Sequence, residues 1–327
     1  MDFDLTEDQK EIKNVARELL AARSPWPKVR AAAQTAAYDP ALWQEIVALG
    51  WPGIAVSEQY GGQGLGAVEL AVLLEELGYA CAATPFLSTA VTAAVIAATG
   101  SDAQRERWLP GLVCGELSAG LGTPDLVADG EDADVVVVLE GGQARLIAAP
   151  HGEAVVMIDP TRRFARVSGE TEPLNAGAPA RVYAGLAAEM VGVCQRALEM
   201  TLDYVKQRKQ FGVAVGSFQA VAHRCAQMLL HTESARSTAY FAAWAADADP
   251  DRLTEAGALA AAAASRAGRE VTASAIQAHG GIGFTWEADV HWLYKRAQLD
   301  AALLGGTGRH HAMLARAAAA RPTLAAR

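Results

Sequence analysis

Three long helical patterns follow one another in the C-terminal half, and they leave this chain few ways to fold. Ala184 to Arg208 carries Leu186, Met190, Val193, Ala197, Met200 and Tyr204 on one stripe. Phe218 to about Ala246 gives a second pattern and Leu253 to His279 a third. At 1.5 Å per residue each reaches roughly 37 Å or more. An apolar stripe of that length is covered only by other helices of similar length. Asp289 to Leu304 and His310 to Ala320 supply a fourth and a fifth, so the spacing predicts an antiparallel bundle over residues 177–327.

The first part of the chain also reads as helices, over residues 1–115. Thr6 is placed to cap a helix containing Ile12, Val15, Ala16, Leu19 and Leu20, and Ala41 to Leu49 is a short helix stopped by Gly50. The run Gln59 to Gly66 is a glycine turn, and Ala67 to Leu77 shows Leu70, Leu73, Leu74 and Leu77 on one face. Beyond Pro85, Ala90 to Ala98 is a small-residue helix, and a helix from Asp102 ends at Pro110. Between residues 116 and 176 the character changes. Val135 to Leu139, Ala144 to Ala149, Ala154 to Ile158 and Phe164 to Val167 read as about four strands. That is too little chain for a closed seven- or eight-stranded barrel and implies a reduced or open sheet.

Composition narrows the partners. Apolar residues make up 51% of the chain, and the net charge of −9 argues against nucleic acid and anionic membrane surfaces. The acidic start, Met1 to Asp4, does not resemble a signal peptide, and no apolar run reaches the ~20 residues that span a bilayer. Cys81, Cys114, Cys194 and Cys225 form no metal or redox spacing, which predicts buried free thiols in a reducing cytoplasm and no metal site.

Several short motifs occur in a fixed order along this frame. They are Tyr60-Gly61-Gly62-Gln63-Gly64-Leu65-Gly66, then Leu73 to Gly78, then Arg208-Lys209-Gln210-Phe211-Gly212 with Ser217-Phe218-Gln219. Gln277 to Phe284 follows, with Thr285-Trp286-Glu287 and Tyr294 to Ala297. In this order they resemble the acyl-CoA dehydrogenase family. The resemblance implies an N-terminal helical domain, a middle sheet domain and a C-terminal four-helix bundle, with FAD shared across a subunit interface. It implies cofactor contacts from Arg208, Phe211, Phe218, Gln219, Gln277, Gly280, Gly281 and Thr307. Arg208 offers a planar fork of donors suited to a pyrophosphate, and Gly280 and Gly281 let backbone amides approach a ligand closely. The same residues also read as a solvated helix-end cation and a plain helix C-cap.

The resemblance also locates what is missing. One branch of the family carries its glutamate base in a loop matching Leu304-Gly305-Gly306-Thr307, where Gly305 stands at the base position. A second branch places the base at the position of Val182. Neither residue can take a proton. Glu189 is a weak in-chain alternative, two turns along from Val182, and reads more simply as a structural carboxylate. His310 and His311 read as surface or interface residues. Gly122-Thr123-Pro124-Asp125 is the only remnant of the family's flavin and thioester run, and nothing between Val127 and Asp132 matches the strand that cradles the flavin ring.

These two losses imply a short, base-lacking subunit of an α2β2 acyl-CoA dehydrogenase of the actinobacterial steroid side-chain group. A full-length paralogue would supply the ring site, the glutamate and the acyl-CoA, and an electron-transfer flavoprotein would reoxidise the flavin. Two alternatives remain: a homo-oligomeric dehydrogenase using Glu189, and a non-enzymatic acyl-CoA- or protein-binding module on the same fold.

Overall fold

The computed structural model describes residues 4–320, so the acidic start at residues 1–3 and the last residues of the chain lie outside the described part. The described residues are mostly helical, with one small sheet in the middle of the sequence. The N-terminal part holds α1 (Glu7–Arg23), α2 (Trp26–Thr35), α3 (Pro40–Ala48), α4 (Ala67–Tyr79), α5 (Phe86–Thr99) and α6 (Asp102–Val113). Thr6 caps α1 in a reciprocal box with Gln9. α5 starts directly after Pro85, four residues before the apolar pattern becomes regular, and α6 continues through Pro110 to Val113. Pro110 falls in the last turn of α6, where few of the helix's bonds remain for it to break. α2 was not legible from apolar spacing, since Val29 is its only buried residue.

The middle holds seven short strands rather than four: β1 (Ala119–Thr123), β2 (Leu126–Ala128), β3 (Val135–Glu140), β4 (Gln143–Ala148), β5 (His151–Ala154), β6 (Phe164–Ser168) and β7 (Thr171–Pro173). They form one sheet in the order β5-β6-β2-β1-β3-β4-β7. The additional strands β1, β2 and β7 are three to five residues long, too short for a period of two to register. Pairing to the Val-rich β3 and its neighbours creates them: Ala119 sits opposite Val135 in a parallel ladder. The strand expected at 154–158 lies earlier, at β5, and leaves Val156 99% exposed.

The bundle comprises α7 (Ala178–Gln207), a hairpin of β8 (Lys209–Gln210) and β9 (Val213–Ala214), then α8 (Gln219–Ala248), α9 (Pro250–His279), α10 (Val290–Leu303) and α11 (Thr307–Ala320). Buried alanines such as Ala239, Ala242, Ala260, Ala261 and Ala264 let these helices approach closely. The tightest crossing joins α4 to α7. A Cβ on Gly192 would lie 1.8 Å from the Glu75 carbonyl oxygen, and one on Gly78 2.1 Å from that of Glu189. No described helix is long and apolar enough to cross a membrane. All four cysteines are free, but Cys114, in the turn after α6, is exposed rather than buried. The described residues hold no cluster with metal-ligand character.

Candidate functional site

Antiparallel packing brings the C-terminal end of α7, the start of α8 and the C-terminal end of α9 to one end of the bundle. Tyr204 and His279 stack there, with ring centroids 4.5 Å apart. Burial lowers the pKa of His279, whose Nδ1 lies 2.7 Å from the Ala275 carbonyl oxygen, so the imidazole packs as a neutral ring. Seven of the expected contacts gather at this end. Arg208 is the C-cap of α7, exposed and without an ion pair among the described residues. The β8–β9 hairpin turns at Phe211 and Gly212, both with positive φ (52° and 81°). Two such residues are what a two-residue hairpin of this twist demands, but a phenylalanine in that region is a strained choice. The turn leaves Phe211 94% exposed, edge-on to Phe218. Gln219 opens α8 and Gln277 lies in the last turn of α9, both exposed.

Gly280 caps α9 at φ 64°, and nothing lies within 4 Å of where a Cβ on Gly280 or Gly281 would sit. The backbone here is open to a ligand. A cationic fork, two amide side chains, two bare glycines and exposed aromatics fit the pyrophosphate and adenosine end of a dinucleotide. Arg208 as a helix-end cation and Gly280 as a C-cap are equally true, and they are compatible with that use.

Thr307 does not join this group. It opens α11, one α10 length away, roughly 20 Å at 1.5 Å per residue. There His310 packs edge-on against Tyr183 of α7 and its Nε2 contacts the Leu304 carbonyl oxygen, so His310 is buried while His311 is exposed. The two positions that the resemblance matches to the family's base, Val182 and Gly305, lie at this second end. Val182 is fully buried in the core, and Gly305 is in a turn at φ 80° with the Arg309 guanidinium nearby. Beside them is a cavity of about 680 Å³ between the edge of the sheet and the start of α7. Its wall includes Arg145, Thr171, Asn175, Tyr183, Thr254 and Arg309, and, among the described residues, no aspartate, glutamate or histidine.

Glu189 lies in neither place. It is 2% exposed, paired with Arg162 and with Arg296 at 3.2 Å. These belong to a wholly buried ionic junction that the sequence reading did not identify. Arg296 donates to Asp159, Glu189, Thr161 Oγ1 and the Ala82 carbonyl, and Arg162 donates to Asp300 at 2.7 Å. Three carboxylates face two guanidiniums. Burial pushes Asp159 up, but Arg296 and the Thr161 bond outweigh it and hold Asp159 below the usual range. Burial and the neighbouring Glu189 charge push Asp300 up to about 7 against the pull of both arginines. Arg296 and Asp300 stand four apart on α10, but each pairs with residues outside that helix, so their spacing alone gave no signal of the junction.

Comparison with known proteins places these features. Residues 6–116 match the model described as "Acyl-CoA dehydrogenase, N-terminal domain", and residues 182–319 the model described as "Acyl-CoA dehydrogenase, C-terminal domain". The chain is 36% identical over 305 residues to "Acyl-CoA dehydrogenase IpdE2" of Mycobacterium tuberculosis, covering 91% of this chain and 93% of that protein. The solved structure titled "Tcur3481-Tcur3483 steroid ACAD G363A variant" superposes with a TM-score of 0.85 at 27% identity, covering 96% of this chain and 98% of that one. A chain of the ChsE4-ChsE5 complex from Mycobacterium tuberculosis shares the fold at 24% identity, with a TM-score of 0.86 over 99% of this chain and all of that one.

Proposed function

The chain belongs to the acyl-CoA dehydrogenase family, and from that premise we propose that it is the base-lacking subunit of a heteromeric, FAD-dependent acyl-CoA dehydrogenase. The observation that carries the reading is that, among the described residues, no carboxylate or imidazole lines the cavity walled by Tyr183 and Arg309. Such an enzyme removes a proton from the carbon next to the thioester and a hydride from the next carbon. FAD supplies the hydride acceptor. In this reading a full-length paralogue in an α2β2 assembly holds the flavin ring, the acyl-CoA and the glutamate.

This chain then contributes binding rather than proton transfer. Arg208 bonds the pyrophosphate, Gln219 and Gln277 give directional hydrogen bonds, and Gly280 and Gly281 offer backbone amides. Phe211 and Phe218 cover the apolar edge of the cofactor. Thr307, at the far end of α10, serves the cofactor only if FAD spans the subunit boundary. The chain divides into an N-terminal helical domain (1–115), a shortened sheet domain (116–176) and the bundle (177–327). Likeness to the solved structure titled a steroid ACAD supports a steroid side-chain thioester as substrate. A cytoplasmic location and reoxidation by an electron-transfer flavoprotein belong to the same reading.

The test is a visible absorbance spectrum with light scattering, on this chain alone and co-expressed with a full-length paralogue. A colourless chain alone and a yellow tetramer with about one flavin per two chains are expected for a shared site. A yellow homo-oligomer of this chain alone would overturn the reading.

A further inference from the structure

Buried polar atoms without partners are uncommon in folded proteins and need a reason. Three of them fall together at the start of α10. His291 is 9% exposed and Trp292 6% exposed. Both ring nitrogens of His291 and the Nε1 of Trp292 are buried without a hydrogen-bond partner. The two rings are 4.2 Å apart, and Trp286 packs over both, at 4.9 Å from His291 and 5.8 Å from Trp292. The Lys295 ammonium completes the group, 4.1 Å from the Trp286 ring and 4.4 Å from the Trp292 ring, with no ion pair among the described residues. Trp286 itself is 72% exposed, on the short connection between α9 and α10.

The carboxylates nearest in sequence do not serve these donors. Asp289 is held by both arms of Arg30, at 2.7 and 2.6 Å, and Glu287 points to solvent. From this arrangement we infer that the start of α10 is a binding site for a small organic carboxylate, with the Trp292 Nε1–H, the His291 ring and Lys295 as donors and Trp286 as its cover. The charge balance selects the ligand class. Burial, then Lys295, lowers the pKa of His291, so at neutral pH the cluster presents one cation and two neutral donors. A planar, singly charged acceptor with two oxygens matches that set. A phosphate dianion brings an uncompensated charge into a poorly hydrated place.

The charged groups that face His291 are Lys295 of its own helix, Asp289 at the N-cap of that helix and Arg30 of α2. An arriving carboxylate favours the protonated ring, so binding takes up a proton and tightens as pH falls.

The test needs neither flavin nor partner, so its outcome is independent of the proposed function. The isolated chain is titrated with sodium acetate while the tryptophan indole N–H resonances are followed by NMR. Sodium chloride at equal ionic strength and inorganic phosphate are the parallel titrations. A saturable shift of the Trp292 resonance with acetate is expected, stronger at low pH. Trp292→Phe keeps the ring but removes the donor, and Lys295→Met removes the charge. Each should weaken acetate binding roughly tenfold or more; for Trp292→Phe the readout moves to the Trp286 resonance. An acetate shift that does not saturate or that chloride reproduces, unchanged affinity in a folded Lys295→Met variant, or tighter binding of phosphate than acetate would each overturn the inference.

Discussion

The exposed end of the bundle and the buried junction of α7, α10 and the β5–β6 connection use the same residue types for opposite ends. Arg208 is exposed and has no ion pair among the described residues, and a Cβ on Gly280 or Gly281 would meet nothing within 4 Å. Arg296 is fully buried, and its guanidinium is spent on Asp159, Glu189, Thr161 and Ala82. A guanidinium whose three nitrogens are all engaged inside the protein has none free for a ligand. One held in solvent without an acceptor keeps all of them. The contrast separates residues that hold this chain together from residues that reach outside it, and it puts Glu189 in the first class.

The largest effect that would sharpen this contrast is on stability. Arg296→Met should destabilise the chain by about 3–5 kcal/mol, because it strands Asp159 as a buried charge without its ion-pair partner and leaves Glu189 with Arg162 alone. Urea unfolding measures this, and a loss below about 1 kcal/mol would remove the junction from the structural class. Arg208→Ala should leave unfolding unchanged but cost about 1.5–3 kcal/mol of flavin retention in the complex, the worth of a hydrogen bond to a charged group. Undiminished flavin occupancy in that variant would break the comparison from the other side.

A pH effect comes next. Asp300 titrates at about 7 in the folded chain, well above its unfolded value. The folded state therefore keeps a proton that the unfolded state has lost between about pH 4 and 7. The stability from this group is present at low pH and lost as pH rises through 7. Asp300→Asn should flatten that part of the stability–pH curve, and an unaltered slope would contradict a shared proton in the junction. The smallest effect is expected for Glu189→Gln. One carboxylate of three is neutralised, and turnover of the complex should stay within a few-fold of the parent. A loss of several orders of magnitude would instead make Glu189 the base.

Much of the fold was legible. The stripe from Leu186 to Tyr204 repeats often enough to declare a helix, and Thr6 with Gln9 announces a cap by side-chain chemistry alone. α2 and the strands β1, β2 and β7 were not, because a helix with one buried residue, a strand of three residues and a strand buried on both faces, as β1 is, carry no alternating period. Of the candidate site, Arg208 and the Gln277–Phe284 turn stood out as motifs. Asp159, Arg162 and Asp300 did not, since nothing in a sequence says that residues more than a hundred positions apart will meet.

The sequence by itself determined the helix-sheet-helix order, the motifs at the end of the bundle and the residue types, glycine and valine, at positions 305 and 182. Each of these is a property of local spacing or of a single side chain's chemistry. Only the tertiary structure decided that Glu189 is locked between two guanidiniums, that Thr307 lies a helix length from Arg208, and that His291 and Trp292 are buried without partners. Burial and pairing depend on which distant segments pack together, and a charge is structural or available to a ligand only once its neighbours in space are known.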